Sequence, residues 1–339
     1  MELTLKISGK INLYLDILGQ LADGYHAIDT VMQSVNLYDT LHIASAPRLR
    51  VYCPGVPQEK NSAYRAAQLF FAESGLSGGV EVHIRKGIPL ASGMGGSSAD
   101  AAGILLALNR LFDNPFSSDA LLALGARIGA DVCFLMEGGS MRCRGIGEQL
   151  EPIVNHWQPF YLAVRADGCV TAAQAYRQYD LLGGQRCRVE QTLEALAKGN
   201  TPAFFAHTAN ALEWGCTALC PDIGRVLSVL RADPNCLGAF MTGSGSVCIG
   251  VYGQEAHALQ AQQAFPGQFT ALLRNTSSSV LWQQSVEKMI QEGVDTFVEI
   301  GPGKTLAGFM KKIAPEMKTY NIQNVEDLEQ ISDLIHSRK

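Results

Sequence analysis

The stretch that decides the fold of this 339-residue chain is a glycine loop that runs into a helix. It reads Pro89-Leu90-Ala91-Ser92-Gly93-Met94-Gly95-Gly96-Ser97-Ser98-Ala99-Asp100-Ala101-Ala102. Its glycines let a ligand approach the main chain closely, and the start of the following helix presents free N–H groups and the positive end of the helix dipole. The segment therefore predicts a phosphate-binding loop, although an ordinary strand-to-helix turn would show the same glycines.

The loop matches neither of the two common nucleotide-binding motifs. It lacks the order G-x-x-x-x-G-K-[ST], and a G-x-G-x-x-G pattern begun at Gly93 fails at Ser98. A second segment, Gly303-Lys304-Thr305, ends like a P-loop, but Val298 stands where that motif needs its first glycine. Both motifs are excluded.

Four other segments carry side chains suited to phosphate chemistry. They are Ser8-Gly9-Lys10-Ile11-Asn12-Leu13, Asp23-Gly24-Tyr25-His26, Gly129-Ala130-Asp131-Val132 and Met241-Thr242-Gly243-Ser244-Gly245-Ser246. Asp131 precedes an apolar run, 132–136, that we predict to be a strand, so its carboxylate should be partly buried and need a partner. Each segment alone is weak evidence, because most lysines are solvated and most glycine turns bind nothing.

The composition is that of a globular protein with room for two domains. Lys and Arg number 27 and Asp and Glu 32, giving a net charge of −5, which argues against nucleic acid as a partner. No window reaches the roughly 20 apolar residues that span a bilayer, and the N-terminus lacks the layout of a secretion signal. We therefore expect a cytoplasmic protein without membrane contact. The nine scattered cysteines are expected to be reduced thiols.

Hydrophobic periodicity predicts the main elements. In the first half we expect strands near 3–6, 11–18, 28–37 and 79–84, a helix after the glycine loop capped by Ser97 or Ser98, and a helix from Ser117 to Gly129. A second unit should follow Pro159, with a strand at 160–164, helices near 189–197, 210–219 and 222–230, and a strand at 247–251. After a discontinuity near 274–279 we predict helix 282–292, strand 296–300 and helix 305–313.

Taken together, in this order and spacing, the five segments resemble the GHMP kinases from about residue 3 to about residue 273. The most specific part is Lys10-Ile11-Asn12-Leu13 with Ala22-Asp23-Gly24-Tyr25-His26, which is similar to the members that phosphorylate a cytidine diphosphate ester in isoprenoid precursor biosynthesis. The resemblance implies an α+β fold with an N-terminal ATP-binding domain of the ribosomal S5 domain 2-like kind over 1–156 and a ferredoxin-like C-terminal domain over 157–273. It also implies ATP, Mg2+ and a small-molecule substrate.

The resemblance further implies a role for each candidate residue. Asp131 would accept the proton of the substrate hydroxyl or orient that hydroxyl, and Lys10 would stabilise the charge on the transferred phosphate. The main chain from Pro89 to Ser98 would cradle the ATP phosphates. Contacts to the substrate would come from Asn12, from Tyr25 and His26, which would stack on and hydrogen-bond the cytosine, from Tyr176 as a second stacking ring, and from Gly243 and Ser244 of the closing turn.

The tail from about residue 275 resembles a different enzyme family. Residues 280–290 and 297–306 are similar to the C-terminal end of malonyl-CoA:acyl carrier protein transacylases. The G-x-S-x-G serine elbow that such an enzyme needs does not occur in the sequence. We therefore expect 274–339 to be a non-catalytic helix-strand-helix appendage with Phe297 and Phe309 exposed, and removal of 275–339 to leave kinase activity largely intact.

Two alternatives stay open at this point. The chain could be another GHMP kinase, acting on mevalonate, homoserine or a sugar, although Asp23-Gly24-Tyr25-His26 argues against this. It could also be a fusion product without activity, because the presence of Lys10 and Asp131 does not ensure a productive fold. The oligomeric state and the metal ligands stay open as well.

Overall fold

The computed structural model of the protein describes residues 2–184, 188–276, 286, 289–300, 305–324 and 327. The chain forms two compact units, residues 1–278 and 279–339. Among the described residues, no helix has both the length and the apolar composition needed to cross a membrane.

The first unit contains two β-sheets, of which the larger has six strands. These are β1 (Glu2–Gln20), β2 (His26–Ala46), β3 (Arg50–Tyr52), β4 (Gly79–Arg85), β5 (Ser140–Gly145) and β6 (Gln149–Pro152). Their order is β3-β4-β2-β5-β6, and β1 pairs with β2 along almost its whole length. The two strands predicted near 3–6 and 11–18 are therefore one continuous strand.

Two irregularities in the pairing of β1 with β2 flank the segment that carries Lys10. The register shifts between Ser8 and Gly9 and again between Asn12 and Tyr14. Such bulges re-aim the side chains beside them. The segment between these shifts carries both candidate side chains, Lys10 and Asn12, into the site described below.

Four helices accompany this sheet. They are α1 (Ser62–Ser74), α2 (Gly96–Leu111), α3 (Ser118–Ile128) and α4 (Ala130–Glu137). Helices α2 and α3 confirm the periodicity, and Ser117 caps α3 by accepting from the main-chain N–H of Ala120. The strand predicted over 132–136 is wrong, because this run is α4, whose residues 132–135 are buried. A short apolar run that is buried all round carries no period that separates a strand from a helix.

The second sheet is antiparallel and has the order β10-β7-β9-β8. Its strands are β7 (Phe160–Arg165), β8 (Cys236–Met241), β9 (Val247–Tyr252) and β10 (Thr270–Leu273). The accompanying helices are α5 (Ala172–Leu182), α6 (Val189–Ala197), α7 (Thr201–His207), α8 (Glu213–Leu219), α9 (Pro221–Ala232) and α10 (Glu255–Gln262). The predicted strands and helices of this region are confirmed, whereas α5, α7, α10, β8 and β10 were not predicted.

The boundary of the tail lies at Ser278, a few residues later than predicted. Asn275 accepts a hydrogen bond from the hydroxyl of the fully buried Tyr161 at 2.9 Å and donates to the carbonyl of Trp157 at 2.7 Å. The main-chain N–H of Thr276 donates to the carbonyl of Ser34 at 2.9 Å. Residues 275 and 276 therefore belong to the first unit.

The second unit is a small β-α-β arrangement. Strands β11 (Thr296–Ile300) and β12 (Lys318–Ile322) pair in parallel, and α11 (Thr305–Ile313) connects them. The predicted strand 296–300 and helix 305–313 are confirmed, β12 was not predicted, and most of the predicted helix 282–292 lies outside the described residues. Phe297 is half-buried against Met310 and Ala314, so its predicted exposure is wrong, and the Phe309 side chain lies outside the described part.

Candidate active site

A cavity of about 790 Å³ in the first unit gathers nearly all the candidate residues. Those that line it are Lys10, Asn12, Tyr25, His26, Pro89, Ala91, Ser92, Gly93, Gly95, Gly96, Ser97, Ser98, Asp131, Tyr176, Gly243 and Ser244. They come from β1, the start of β2, the glycine loop, α4, α5 and the turn between β8 and β9. Met94 is the exception, because its side chain is buried in the hydrophobic core, and only its carbonyl takes part, accepting from the Lys10 main-chain N–H at 3.1 Å.

The glycine loop delivers an uncapped helix end to this cavity. Gly95 is the N-cap of α2 with φ +76°, and no side chain caps the helix there, so the predicted capping by Ser97 or Ser98 is wrong. Within the described part of the chain, the main-chain N–H groups of Gly96, Ser97 and Ser98 have no acceptor. Three N–H donors and the positive end of a 16-residue helix therefore face the cavity, an arrangement that suits an anion.

The two glycine turns approach each other so closely that one position excludes any side chain. A Cβ on Gly93, whose φ is +75°, would lie 2.2 Å from the carbonyl oxygen of Thr242. The Val247 main-chain N–H donates to the Ser92 carbonyl at 3.3 Å. The turn between β8 and β9 therefore closes directly over the glycine loop, as the sequence suggested for Gly243 and Ser244.

Lys10 and Asp131 meet in the cavity, as predicted. Lys10 Nζ lies 3.3 Å from Asp131 Oδ2 and donates to Asn12 Oδ1 at 2.6 Å. Lys10 is buried, whereas the Asp131 side chain keeps 29% of its surface exposed and can still reach a ligand. Asp131 occupies the first turn of α4, so the helix itself, not a strand, presents this carboxylate to the cavity.

Asn12 is fixed from both sides. Its main-chain N–H donates to Thr242 Oγ1 at 2.9 Å, and its Nδ2 donates to Thr30 Oγ1 at 2.8 Å. Because the side-chain amide is oriented by Thr30, its oxygen is left to face Lys10. The arrangement holds the ammonium group of Lys10 between an amide oxygen and a carboxylate.

The opposite end of the cavity is aromatic. Tyr25 is 62% exposed, and the His26 ring stacks on Tyr176 with the ring centroids 4.8 Å apart and the planes 20° apart. Burial, with a smaller contribution from the negative charge of Asp131, raises the pKa of the Tyr176 hydroxyl to about 12. One face of Tyr176 is thus occupied by His26, and its predicted stacking on a substrate ring stays a prediction.

Sequence reasoning missed Asp180, which also lines this end of the cavity. His26 Nε2 lies 2.8 Å from Asp180 Oδ1. Tyr176 and Asp180 lie one turn apart on α5 and therefore share a face of this helix. The capping box of Thr171 and Gln174, which starts α5, is the sequence signal that could have revealed the helix.

A buried charge cluster that sequence reasoning also missed supports the glycine loop. Lys86 Nζ pairs with Asp39, donates to Asp100 Oδ2 at 2.7 Å and contacts the Gly96 carbonyl at 3.2 Å. Asp39 Oδ1 accepts from the main-chain N–H groups of Gly87 and Ile88 at 2.8 and 2.9 Å. Burial raises the pKa of Asp100 to about 7 against the attraction of Lys86. The cluster joins β2, the entry to the loop and the first turns of α2.

The comparisons with known proteins agree with this geometry. The profile described as GHMP kinases N terminal domain matches residues 61–139, and the one described as GHMP kinases C terminal matches residues 192–271. A 4-diphosphocytidyl-2-C-methyl-D-erythritol kinase of Desulfitobacterium hafniense (strain Y51) is 38% identical over 74% of this chain and 87% of the relative. One of Caldicellulosiruptor bescii is 36% identical over 76% and 92%, respectively.

Solved structures point the same way. A crystal structure of 4-(cytidine 5'-diphospho)-2C-methyl-D-erythritol kinase superimposes with a TM-score of 0.68 at 32% identity, covering 80% of this chain and 99% of that one. A homoserine kinase from Cytophaga hutchinsonii, at 16% identity and a TM-score of 0.64 over 81% of this chain and 95% of its own, shares the fold. The chain belongs to the GHMP kinase family and is a phosphotransferase with that family's N-terminal and C-terminal domains.

The family profiles end at residue 271. The resemblance of the tail to transacylases therefore stays a prediction, as does the division of the kinase part at residues 156 and 157.

Proposed function

We propose that the protein transfers the γ-phosphate of ATP to the 2-hydroxyl of 4-diphosphocytidyl-2-C-methyl-D-erythritol, a step of isoprenoid precursor biosynthesis. The observation that carries this proposal is the 3.3 Å contact of Lys10 with Asp131 in the same cavity as the uncapped glycine loop and the pair Tyr25 and His26. Relatives at 36–38% identity bear this activity in their names.

ATP fits the glycine-loop end of the cavity. The free N–H groups of Gly96, Ser97 and Ser98 are suited to phosphate oxygens, and the close approach of the closing turn leaves no room for a side chain at Gly93. Within the described residues no three His, Cys, Asp or Glu side chains form a metal cage. Mg2+ commonly binds phosphates together with one or two carboxylates, and Asp131 is the carboxylate of α4 that faces the cavity and could hold it. When bound, Mg2+ would neutralise charge on the phosphates.

The reacting groups meet beside this loop. Asp131 accepts the hydrogen of the attacking hydroxyl, and its partial exposure leaves it accessible to the substrate. Lys10, held by Asn12, places a positive charge where negative charge develops during transfer. The aromatic end then holds the cytosine, with Tyr25 as the exposed stacking surface and His26 as the hydrogen-bonding ring.

Further parts of the same proposal concern the protein as a whole. It acts in the cytoplasm on a small molecule, and the kinase part comprises domains over 1–156 and 157–273. Residues 279–339 take no part in the chemistry.

The test is an assay of ADP release with ATP, Mg2+ and the cytidyl substrate on the wild type, Asp131→Asn and Lys10→Met. Removing a positioned proton acceptor lowers rates by about 10² to 10⁴, so kcat of Asp131→Asn should fall by at least about 10². Asp119→Asn, which removes an exposed carboxylate on α3, is the matched control and should retain wild-type turnover.

Three outcomes would contradict the proposal. Full turnover in Asp131→Asn would exclude its role. Turnover of mevalonate or homoserine in place of the cytidyl substrate would assign a different member of the family. No ADP release from folded wild type with any of the three substrates would mean that the chain is not an active kinase.

A further inference from the structure

Two contacts from one helix determine how the His26 ring is held. On α5, Tyr176 lies against the face of the ring, with the centroids 4.8 Å apart, and Asp180 Oδ1 lies 2.8 Å from the ring nitrogen Nε2. The His26 side chain is only 8% exposed, although it lines the cavity. Turning the ring over about its Cβ–Cγ bond would keep the stacking on Tyr176 but would place a carbon in the position of Nε2, so the contact with Asp180 holds the ring in one orientation.

The contact with Asp180 also decides which ring nitrogen carries hydrogen. An ionised carboxylate can only accept hydrogen bonds, so Nε2 must be the donor in this pair. In the neutral ring the hydrogen on Nε2 leaves Nδ1 with a lone pair. His26 then offers an incoming ligand an acceptor and no second donor.

We propose that Asp180 is a positioning residue that makes the protein select a cytosine over a uracil. The inference rests on the proposed function and concerns the base of its substrate. Cytosine carries an amino donor at its 4-position, where uracil carries a carbonyl acceptor. An acceptor at His26 Nδ1 pairs with the amino group and opposes the carbonyl, so the carboxylate on α5 sets the base preference without touching the base.

The isosteric change Asp180→Asn tests this. The amide presents either its oxygen or its NH2 group to Nε2, so both neutral forms of the ring become accessible and the acceptor at Nδ1 is no longer enforced. Asp180 is 44% exposed on its side chain, so the variant should fold. Asp119→Asn on α3 removes the same charge far along the chain and serves as the control.

The measurements are the inhibition constants of CDP and UDP against the cytidyl substrate at pH 8, the KM for ATP, and the 15N NMR shifts of the His26 ring nitrogens. We expect the preference for CDP over UDP to fall about tenfold or more in Asp180→Asn. A tenfold change corresponds to about 1.4 kcal/mol, which is the size of one mismatched hydrogen bond. The KM for ATP should stay unchanged, and the NMR shifts should change from a hydrogen on Nε2 to a mixture. Asp180→Glu, which keeps a carboxylate, should restore the wild-type nitrogen pattern.

An unchanged CDP preference in Asp180→Asn, or unchanged nitrogen shifts, would overturn the inference while leaving the proposed function intact. A wild type that phosphorylates the cytidyl substrate but binds CDP and UDP alike would overturn the inference alone. A wild type that neither phosphorylates that substrate nor prefers CDP would overturn the proposed function and this inference together.

Discussion

Because the two glycine turns are in close contact, we expect Gly93→Ala to lower both the unfolding free energy and the activity of the protein. The new Cβ would lie 2.2 Å from the Thr242 carbonyl oxygen, whereas ordinary contacts begin at 3.4 Å, so the two main chains must separate by about 1 Å. The neighbour is backbone and cannot turn aside, as a flexible side chain would. Overpacking of this kind costs about 1–3 kcal/mol.

The left-handed backbone adds a second cost. Gly93 has φ +75°, which an L-residue adopts at a cost of about 1–2 kcal/mol. Gly75, the C-cap of α1, has φ +66° and no heavy atom within 4 Å of an added Cβ. Gly75→Ala therefore isolates the backbone cost. Gly93→Ala should lose about 2–5 kcal/mol of unfolding free energy and Gly75→Ala about 1–2 kcal/mol.

Urea unfolding followed by circular dichroism measures the stability difference, and the ADP-release assay measures activity. Because a displacement of about 1 Å near reacting groups costs about 10² in rate, kcat/KM for ATP should fall about 10²-fold in Gly93→Ala and stay near wild type in Gly75→Ala. Equal stability and equal kcat/KM in the two variants would refute the close approach of the turns.

Further predictions concern the tail and the buried charges. A chain ending at Ser278 should keep full kinase activity and stability. A chain ending at Arg274 leaves the buried Tyr161 hydroxyl without its acceptor, so its unfolding free energy, measured in urea, should be about 1–3 kcal/mol lower. Equal urea midpoints for the two chains would place the boundary earlier. Asp100 has a folded-state pKa raised from 3.8 to about 7, so the proton it binds stabilises the fold at low pH and this stabilisation is lost as the pH rises through 7. Relative to Asp100→Asn, the wild type should therefore lose unfolding free energy from about pH 4 to pH 7, and a constant difference across that range would contradict the raised pKa.

Hydrophobic periodicity and capping residues in the sequence allowed several elements of the fold to be predicted. Apolar residues at helical spacing identified α2 and α3, and Ser117 marked the start of α3 correctly. The run 132–136 showed no period because its residues 132–135 are all buried, and α4 was therefore mistaken for a strand. The start of α2 was also predicted wrongly. Serine is a common N-cap residue, so the sequence favoured Ser97 or Ser98, but the N-cap is Gly95 in the left-handed region.

Most of the site could be predicted because five segments in a particular order resemble a known family. What the sequence could not show were contacts between distant segments. Asp180 meets His26 across 154 positions, and Lys86 joins Asp39 across 47. No sequence motif marks Asp180 or Asp39. Only the fold brings Asp180 to the His26 ring and Asp39 to the Lys86 ammonium group.

The bond from the Asn12 main chain to Thr242 joins residues 230 positions apart and has a consequence for how the protein is made. Because synthesis proceeds from the N-terminus, a ribosome that has already released the glycine loop has not yet made the turn that closes it. A nascent chain that ends between Glu137 and Thr242 thus contains Lys10, the glycine loop and Asp131 and still lacks the turn that closes over that loop. The order of the segments therefore makes closure of the cavity a late step of synthesis.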